Sequence, residues 1–351
     1  MSPKYRADVV RPVDAEFRAK SARGEFPPAI SSSSVFWKYV TSPPLIGRAG
    51  NHPSDFGLDT EEHRVLSKAS NAAGGFLVPT DFDEQITAAR RSRAVIGTVA
   101  RELVTSNGQT LLVPATTAHG TASWASENAS FTATDETFGQ VTVSAFKGAA
   151  KVIVSEELAA DAGVDFESYL ADELGQRVGT LEETAFVVGD GTGKPLGVAT
   201  TGNGVATVTA ATGSATGFKL ADVNSVWAAV PDGYKVNATW VMSPSAFRSL
   251  AVLTDSAGGL VLPSLHQAEP TLFSRPVLQS ADLPAAAASA RSLAVGDFSA
   301  GYLVRRVRGF GMQRQEEVHS DTGQLGYRIY ERVDGRVILA DALRILVNSA
   351  T

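Results

Sequence analysis

The residues best suited by type to chemistry are Gly189-Asp190-Gly191-Thr192-Gly193-Lys194-Pro195, where glycine amides beside a lysine can cradle a phosphate. Their spacing argues against it. A Walker loop sets four residues between its first glycine and the Gly-Lys pair, and then needs Ser or Thr for magnesium. Here three residues separate Gly189 from Gly193, and Pro195 follows Lys194. The five histidines, His52, His63, His119, His266 and His319, are scattered without an H-E-x-x-H pair. With 0 cysteines there is neither a thiolate metal site nor a disulfide. No G-x-S-x-G elbow occurs, and Glu156-Glu157 and Glu182-Glu183 fit exposed helix positions better than a catalytic dyad. The expectation is a protein that is not an enzyme and needs no cofactor and no metal.

The glycine-rich corner ends a long amphipathic helix. Asp165 is placed to cap it, and Phe166, Leu170, Leu174, Val178, Leu181, Ala185 and Val188 recur at steps of four or three. The core stripe is read as Phe166, Leu170, Leu174, Val178 and Leu181. Over Phe166 to Val188 such a helix spans about 34 Å. Gly175 and Gly179 inside it read as places where the helix bends. Gly189, Gly191, Gly193 and Pro195 then turn the chain and are expected to act as a hinge between domains. Ser155 to Val188 holds nine acids against Arg177 alone, which repels polyanions.

Ahead of the helix, residues 1–73 have weak periodicity and read as an arm. Its basic excess suits a solvated tail, acidic neighbours or nucleic acid, and its aromatic cluster, Phe36, Trp37 and Tyr39, is costly to leave wet. Thr98 to Pro114 and Gln140 to Val154 read as two strands joined by a long, nearly uncharged stretch carrying Trp124, Phe131 and Phe138. A two-stranded ribbon is marginal by itself, so these aromatics are expected to bury against another copy of the chain. After the corner, Gly202 to Gly217 reads as a loop, Asp222 as a helix cap, and Ser292 onward as strands. Arg305, Arg306, Arg308 and Arg314 form a local basic run, read as a solvated strand face, as salt bridges of Arg305, Arg306 and Arg308 to a neighbouring subunit, or as contacts to DNA phosphates.

With 351 residues, 44% of them hydrophobic, the chain is large enough for two or three domains and a substantial core. A net charge of -6 argues against a dedicated nucleic-acid binder. Neither a signal peptide nor a membrane span is read.

From about Gly74 onward the chain resembles the major capsid protein family of tailed bacteriophages. The resemblance rests on Gly74-Gly-Phe-Leu-Val-Pro79, K-x-x-x-S-E-E-L at Lys151 to Leu158, and Phe186-x-x-Gly-Asp-Gly-Thr-Gly-Lys-Pro-x-Gly. It continues with Asn237-Ala-x-Trp-Val-Met-Ser243 and Val295-Gly-Asp-Phe-Ser-x-Gly-Tyr302. The resemblance implies an α+β tailed-phage major capsid fold. Residues 1–73 would be an N-terminal arm, 74–103 and 148–199 a discontinuous peripheral (P) domain with a spine helix, and 104–147 an extended β-hairpin E-loop. Residues 200–295 would form an axial (A) domain, with 296–351 returning through the P domain and ending in the A domain. It implies self-assembly into hexamers and pentamers of an icosahedral shell around double-stranded DNA, built in the bacterial cytoplasm and ending in the virion. Partners would be many copies of the chain, a portal, scaffold or decoration proteins, and DNA held non-specifically, with no membrane. An encapsulin-like shell around a cargo enzyme is the alternative. No lysine lies between Val104 and Phe146, so the covalent E-loop cross-link of some members is not expected. The arm is expected to stay attached, with any scaffold a separate protein.

Overall fold

In the computed structural model, which describes residues 70–71, 75–77, 80–118, 137–155, 157, 166–315 and 322–351, the longest helix is α3 (Phe166–Val188). Two rows of inward positions run along it at steps of four. Phe166, Leu170, Leu174, Val178, Glu182 and Phe186 form one row; Ala171, Gly175, Gly179, Glu183 and Val187 form the other, and all are buried. Leu181, expected in the core stripe, is instead 47% exposed, and Val188 is 40% exposed. The strict four-residue step gives the inward place to Glu182.

Helix α1 (Thr80–Arg93) lies against the glycine row. A Cβ on Gly175 would meet Ile86 O at 2.8 Å, and one on Gly179 would meet Arg90 O at 2.7 Å. Close approach of two backbones therefore accounts for a glycine at both positions. After α1 come α2 (Val95–Val99) and the first of the longer strands.

The run Thr98 to Pro114 is not one strand. It divides into the end of α2, β3 (Arg101–Thr105), a turn at Asn107-Gly108 and β4 (Leu111–Ala118), after the short β1 (Ser70–Asn71) and β2 (Gly75–Leu77). Strand β4 pairs antiparallel with β5 (Thr137–Val143), from Leu111 opposite Val143 to Ala118 opposite Thr137, as a separate two-stranded ribbon. Strand β6 (Phe146–Ser155) pairs elsewhere. It is the last member of the order β2-β12-β13-β6, with β12 at Tyr302–Gln315 and β13 at Gln324–Val337. Strand β3 runs parallel to the first half of β12, and β2 is antiparallel to its second half.

A second sheet has the order β7-β14-β11-β8-β10-β9. Its members are β7 (Ala206–Thr209), β8 (Thr239–Met242), β9 (Thr271–Leu272), β10 (Arg275–Gln279), β11 (Arg291–Gly296) and β14 (Leu343–Val347). Strand β7 lies inside the Gly/Ala/Thr stretch read as a loop; pairing with β14 makes it a strand. Helix α4 (Leu220–Ala229) has Lys219, not Asp222, at its N-cap. Asp222 sits in its first turn and accepts from Lys219 N at 2.9 Å, Ala211 N at 2.8 Å and Ser214 Oγ at 2.7 Å.

Trp240, Met242, Leu293, Val295 and Leu346 pack with Val223, Val226 and Leu250 in one core cluster. Val241, Ala294 and Ile345, from the same strands, pack with Phe186, Val187, Tyr302 and Val304 in another. A sheet buried on both faces needs unbroken apolar runs, which is what Trp240-Val241-Met242 and Leu293-Ala294-Val295 supply. Residues 71–351 form one compact unit, with the end of α3 between the two sheets.

Candidate functional site

Strand residues alternate in direction, so the neighbours Arg305 and Arg306 of β12 leave on opposite faces, and both faces are covered. Arg306 forks onto Glu182 of α3, with Nη2 2.8 Å from Oε2 and a second contact between Nη1 and Oε1. Its Nε lies 2.8 Å from Glu102 Oε1 on β3, and its Nη1 lies 3.2 Å from Glu331 Oε2 on β13. Arg90 Nη1 of α1 stands 3.7 Å from Glu182 Oε1. Five elements thus meet at one buried cluster. A recess of about 300 Å³, lined by Asp83, Arg90, Glu102, Arg306 and Glu331, opens onto it.

The two buried carboxyls of this cluster differ. Burial opposes the charge on Glu182, but the hydrogen bonds and charge of Arg306 outweigh it and hold its carboxyl below the usual range. Burial, then the charge of Glu182, pushes Glu331 well above that range. The surroundings thus favour the neutral form of Glu331 and the charged form of Glu182. The pair Glu182-Glu183, expected at exposed positions, is 1% and 2% exposed. Glu183 faces away from the cluster, accepting from Ile96 N–H at 2.9 Å and from Ser280 Oγ–H at 2.6 Å.

Arg305 is 2% exposed and holds the root of the ribbon. It donates to Asn107 O at 3.0 Å, Val143 O at 3.0 Å, Ser144 O at 3.2 Å and Thr105 Oγ1 at 3.2 Å. Asp334, opposite it on β13, accepts from Ser144 N at 2.6 Å. Arg305 and Arg306 are buried or nearly so, and the contacts described here are all within their own chain. The Arg308 side chain lies outside the described residues.

Beside the ribbon root, a groove of about 560 Å³ runs along the outward side of α3. Leu181, Thr184 and Val188 of α3, Phe146 and Gly148 of β6, and Pro195 line it. The glycine corner at its end turns inward. Gly191 N–H donates to Pro195 O at 3.2 Å, Gly197 N–H to Gly189 O at 2.8 Å, and Val198 N–H to Phe186 O at 2.7 Å. Thr192 N–H likewise donates to Asp190 Oδ1 at 2.9 Å, so these amides are committed within the chain. Gly191 and Gly193, at φ of 79° and 67°, hold backbone angles that favour glycine.

Of the aromatics singled out from sequence, Phe36, Trp37, Tyr39, Trp124 and Phe131 lie outside the described residues. Phe138 is in β5 opposite Thr116, with its side chain outside the description. Sequence reading did not single out Arg90 or Asp334 as site residues, placed Glu182 and Glu183 on the surface, and named Arg305 without its role at the ribbon root. Only Glu182 and Glu183 carried a signal: they continue the two rows of inward positions at strict steps of four.

The model of the phage capsid family matches residues 74–348. Among solved structures, the capsid of a native GTA particle is 26% identical, with a TM-score of 0.63 over 73% of this chain and 90% of that one. The capsid of an empty GTA particle is 25% identical, with a TM-score of 0.64 over the same shares. A structure from Gordonia phage Cozz, 15% identical with a TM-score of 0.55 over 74% of this chain and 87% of that one, shares the fold. No curated protein matches the chain.

Proposed function

The chain belongs to the phage capsid family, and from that premise we propose that it is a major capsid protein that assembles with copies of itself into an icosahedral shell around double-stranded DNA. The observation that carries the assembly step is the β4–β5 ribbon, paired with neither six-stranded sheet, beside an exposed apolar groove. A lone two-stranded ribbon is marginal in water, and an apolar groove costs free energy while wet. Contact between copies removes both costs. In this proposal residues 104–147 are the E-loop that reaches a neighbour, and residues 1–73 are an arm that does the same. The sheet of β2, β12, β13 and β6 with α3 is the peripheral domain, and the β7-to-β9 sheet is the axial domain. Residues 189–195 join them, hexamers and pentamers are the building units, and the shell forms in the bacterial cytoplasm before becoming part of the virion. A portal, with scaffold or decoration proteins, completes it, and DNA is held non-specifically.

Electron microscopy and size-exclusion chromatography of the expressed full-length chain test the proposal. Closed particles containing nuclease-protected DNA, when made with packaging partners, are the expected result. Stable 36.8 kDa monomers under all assembly conditions would overturn it. Particles holding a co-purifying enzyme and no DNA would move the function to a cargo compartment.

A further inference from the structure

One carboxyl group joins the long helix to the second sheet. Glu183 on α3 takes the Ile96 amide at the start of α2 and the Ser280 hydroxyl just beyond β10, both within 2.9 Å. The next residue, Thr184, donates to Asp282 Oδ1 at 2.7 Å, so residues 280–282 are held to the helix by two consecutive side chains. We infer that Glu183 is a proton-operated latch between α3 and the second sheet, firm while its carboxyl is neutral and weakened when that carboxyl ionises.

The surroundings support this through a contrast between neighbours. Glu182 has the Arg306 guanidinium; Glu183 has no ion pair among the described residues. Helix α2 presents only the backbone amides of Val95 and Ile96, and the segment after β10 presents Ser280 and the like-charged Asp282. From β12 comes the Tyr302 phenol, already donating to Leu196 O at 2.8 Å. When Glu183 is neutral, its proton sits on Oε1 and is donated to Ser280 Oγ, while the Ile96 amide still donates to Oε2. On ionisation the Ser280 hydroxyl turns to donate instead, so both contacts survive, but a buried charge now faces Asp282. Burial, opposed by the Ser280 and Ile96 hydrogen bonds, pushes the carboxyl up to about 7. A folded-state value raised above the ordinary 4.5 means that stability is present in acid and is lost as pH rises between the two values.

Hydrogen exchange of the Ile96 amide in the full-length chain reads the latch directly. Relative to Glu183→Gln, which stays neutral, the protection factor of the natural chain should fall roughly 40-fold between about pH 5 and 7 and level off near pH 8. Two further variants keep the test decisive even if Glu183→Gln folds poorly. Ser280→Ala removes a hydrogen bond that favours the ionised form and should move the levelling-off to higher pH. Asp282→Asn removes a repelling charge and should move it to lower pH. Equal pH dependence in the natural chain and Glu183→Gln, or shifts of the same sign in the other two, would overturn the latch. The measurement concerns a single subunit, so its outcome is independent of the shell proposal.

Discussion

Arg306 sets the charge balance of the first sheet's interior, because its fork satisfies the buried carboxylate of Glu182 and favours its charged form. Removing one member of a buried pair is costly because the other keeps its charge in a poor solvent, typically about 3–5 kcal/mol. Arg306→Met should therefore cost about that much, since among the described residues Arg90, at 3.7 Å, is the only other guanidinium paired with Glu182. Glu331→Gln should cost about 1 kcal/mol or less, because burial and the charge of Glu182 favour the neutral form of Glu331 that the amide mimics. Chemical denaturation of both variants at neutral pH checks the pair. Equal losses would mean that the proton has been placed on the wrong carboxyl. The sign with pH follows: Glu182 sits below its ordinary range, so its contribution is present at neutral pH and disappears as acidification passes through its folded value.

Two helices, α1 and α3, come close enough along the glycine row for backbone to meet backbone, and this makes a prediction at the scale of the element. Alanine in place of glycine inside a helix normally gains about 1 kcal/mol in propensity. At Gly179 the new methyl would lie 2.7 Å from Arg90 O, a backbone atom that cannot swing aside, and overpacking costs about 1–3 kcal/mol. Gly179→Ala should thus be net destabilising by about 1 kcal/mol, seen as a lower Tm; a higher Tm would mean that the helices have room. The existence of α3, its stop at Val188 and the unbroken strands of the second sheet were legible in the sequence, since each is written in local periodicity or in glycine. The inward acids were not, because charge ordinarily marks a solvated face, and only a partner 124 positions away, Arg306, makes Glu182 tolerable inside. Strand β7 was hidden for a related reason: Ala206–Thr209 becomes a strand through β14, near the far end of the chain. Of the arginine run, spacing showed the cluster but not that alternate residues serve the ribbon root and the helix.

For the whole molecule the question is which surface turns a folded subunit into an assembling one. With Glu182 and Glu183 inside, the outward face of α3 is less acidic than its composition implies and carries exposed Leu181 and Val188 along the groove. Such a strip does little for the isolated chain, where Leu181 is already 47% exposed, yet every apolar area covered on contact adds about 25 cal/mol per Å². Leu181→Asp separates the two roles. A substitution at a solvated position should leave subunit stability within about 0.5 kcal/mol, whereas a desolvated, unpaired carboxylate in a contact between copies is strongly unfavourable. The expected outcome is an unchanged unfolding curve for the soluble subunit together with loss of closed particles in electron micrographs. Normal particle yield from Leu181→Asp would place the neighbour's contact elsewhere, and parallel loss of subunit stability would mean that the groove belongs to the fold rather than to assembly.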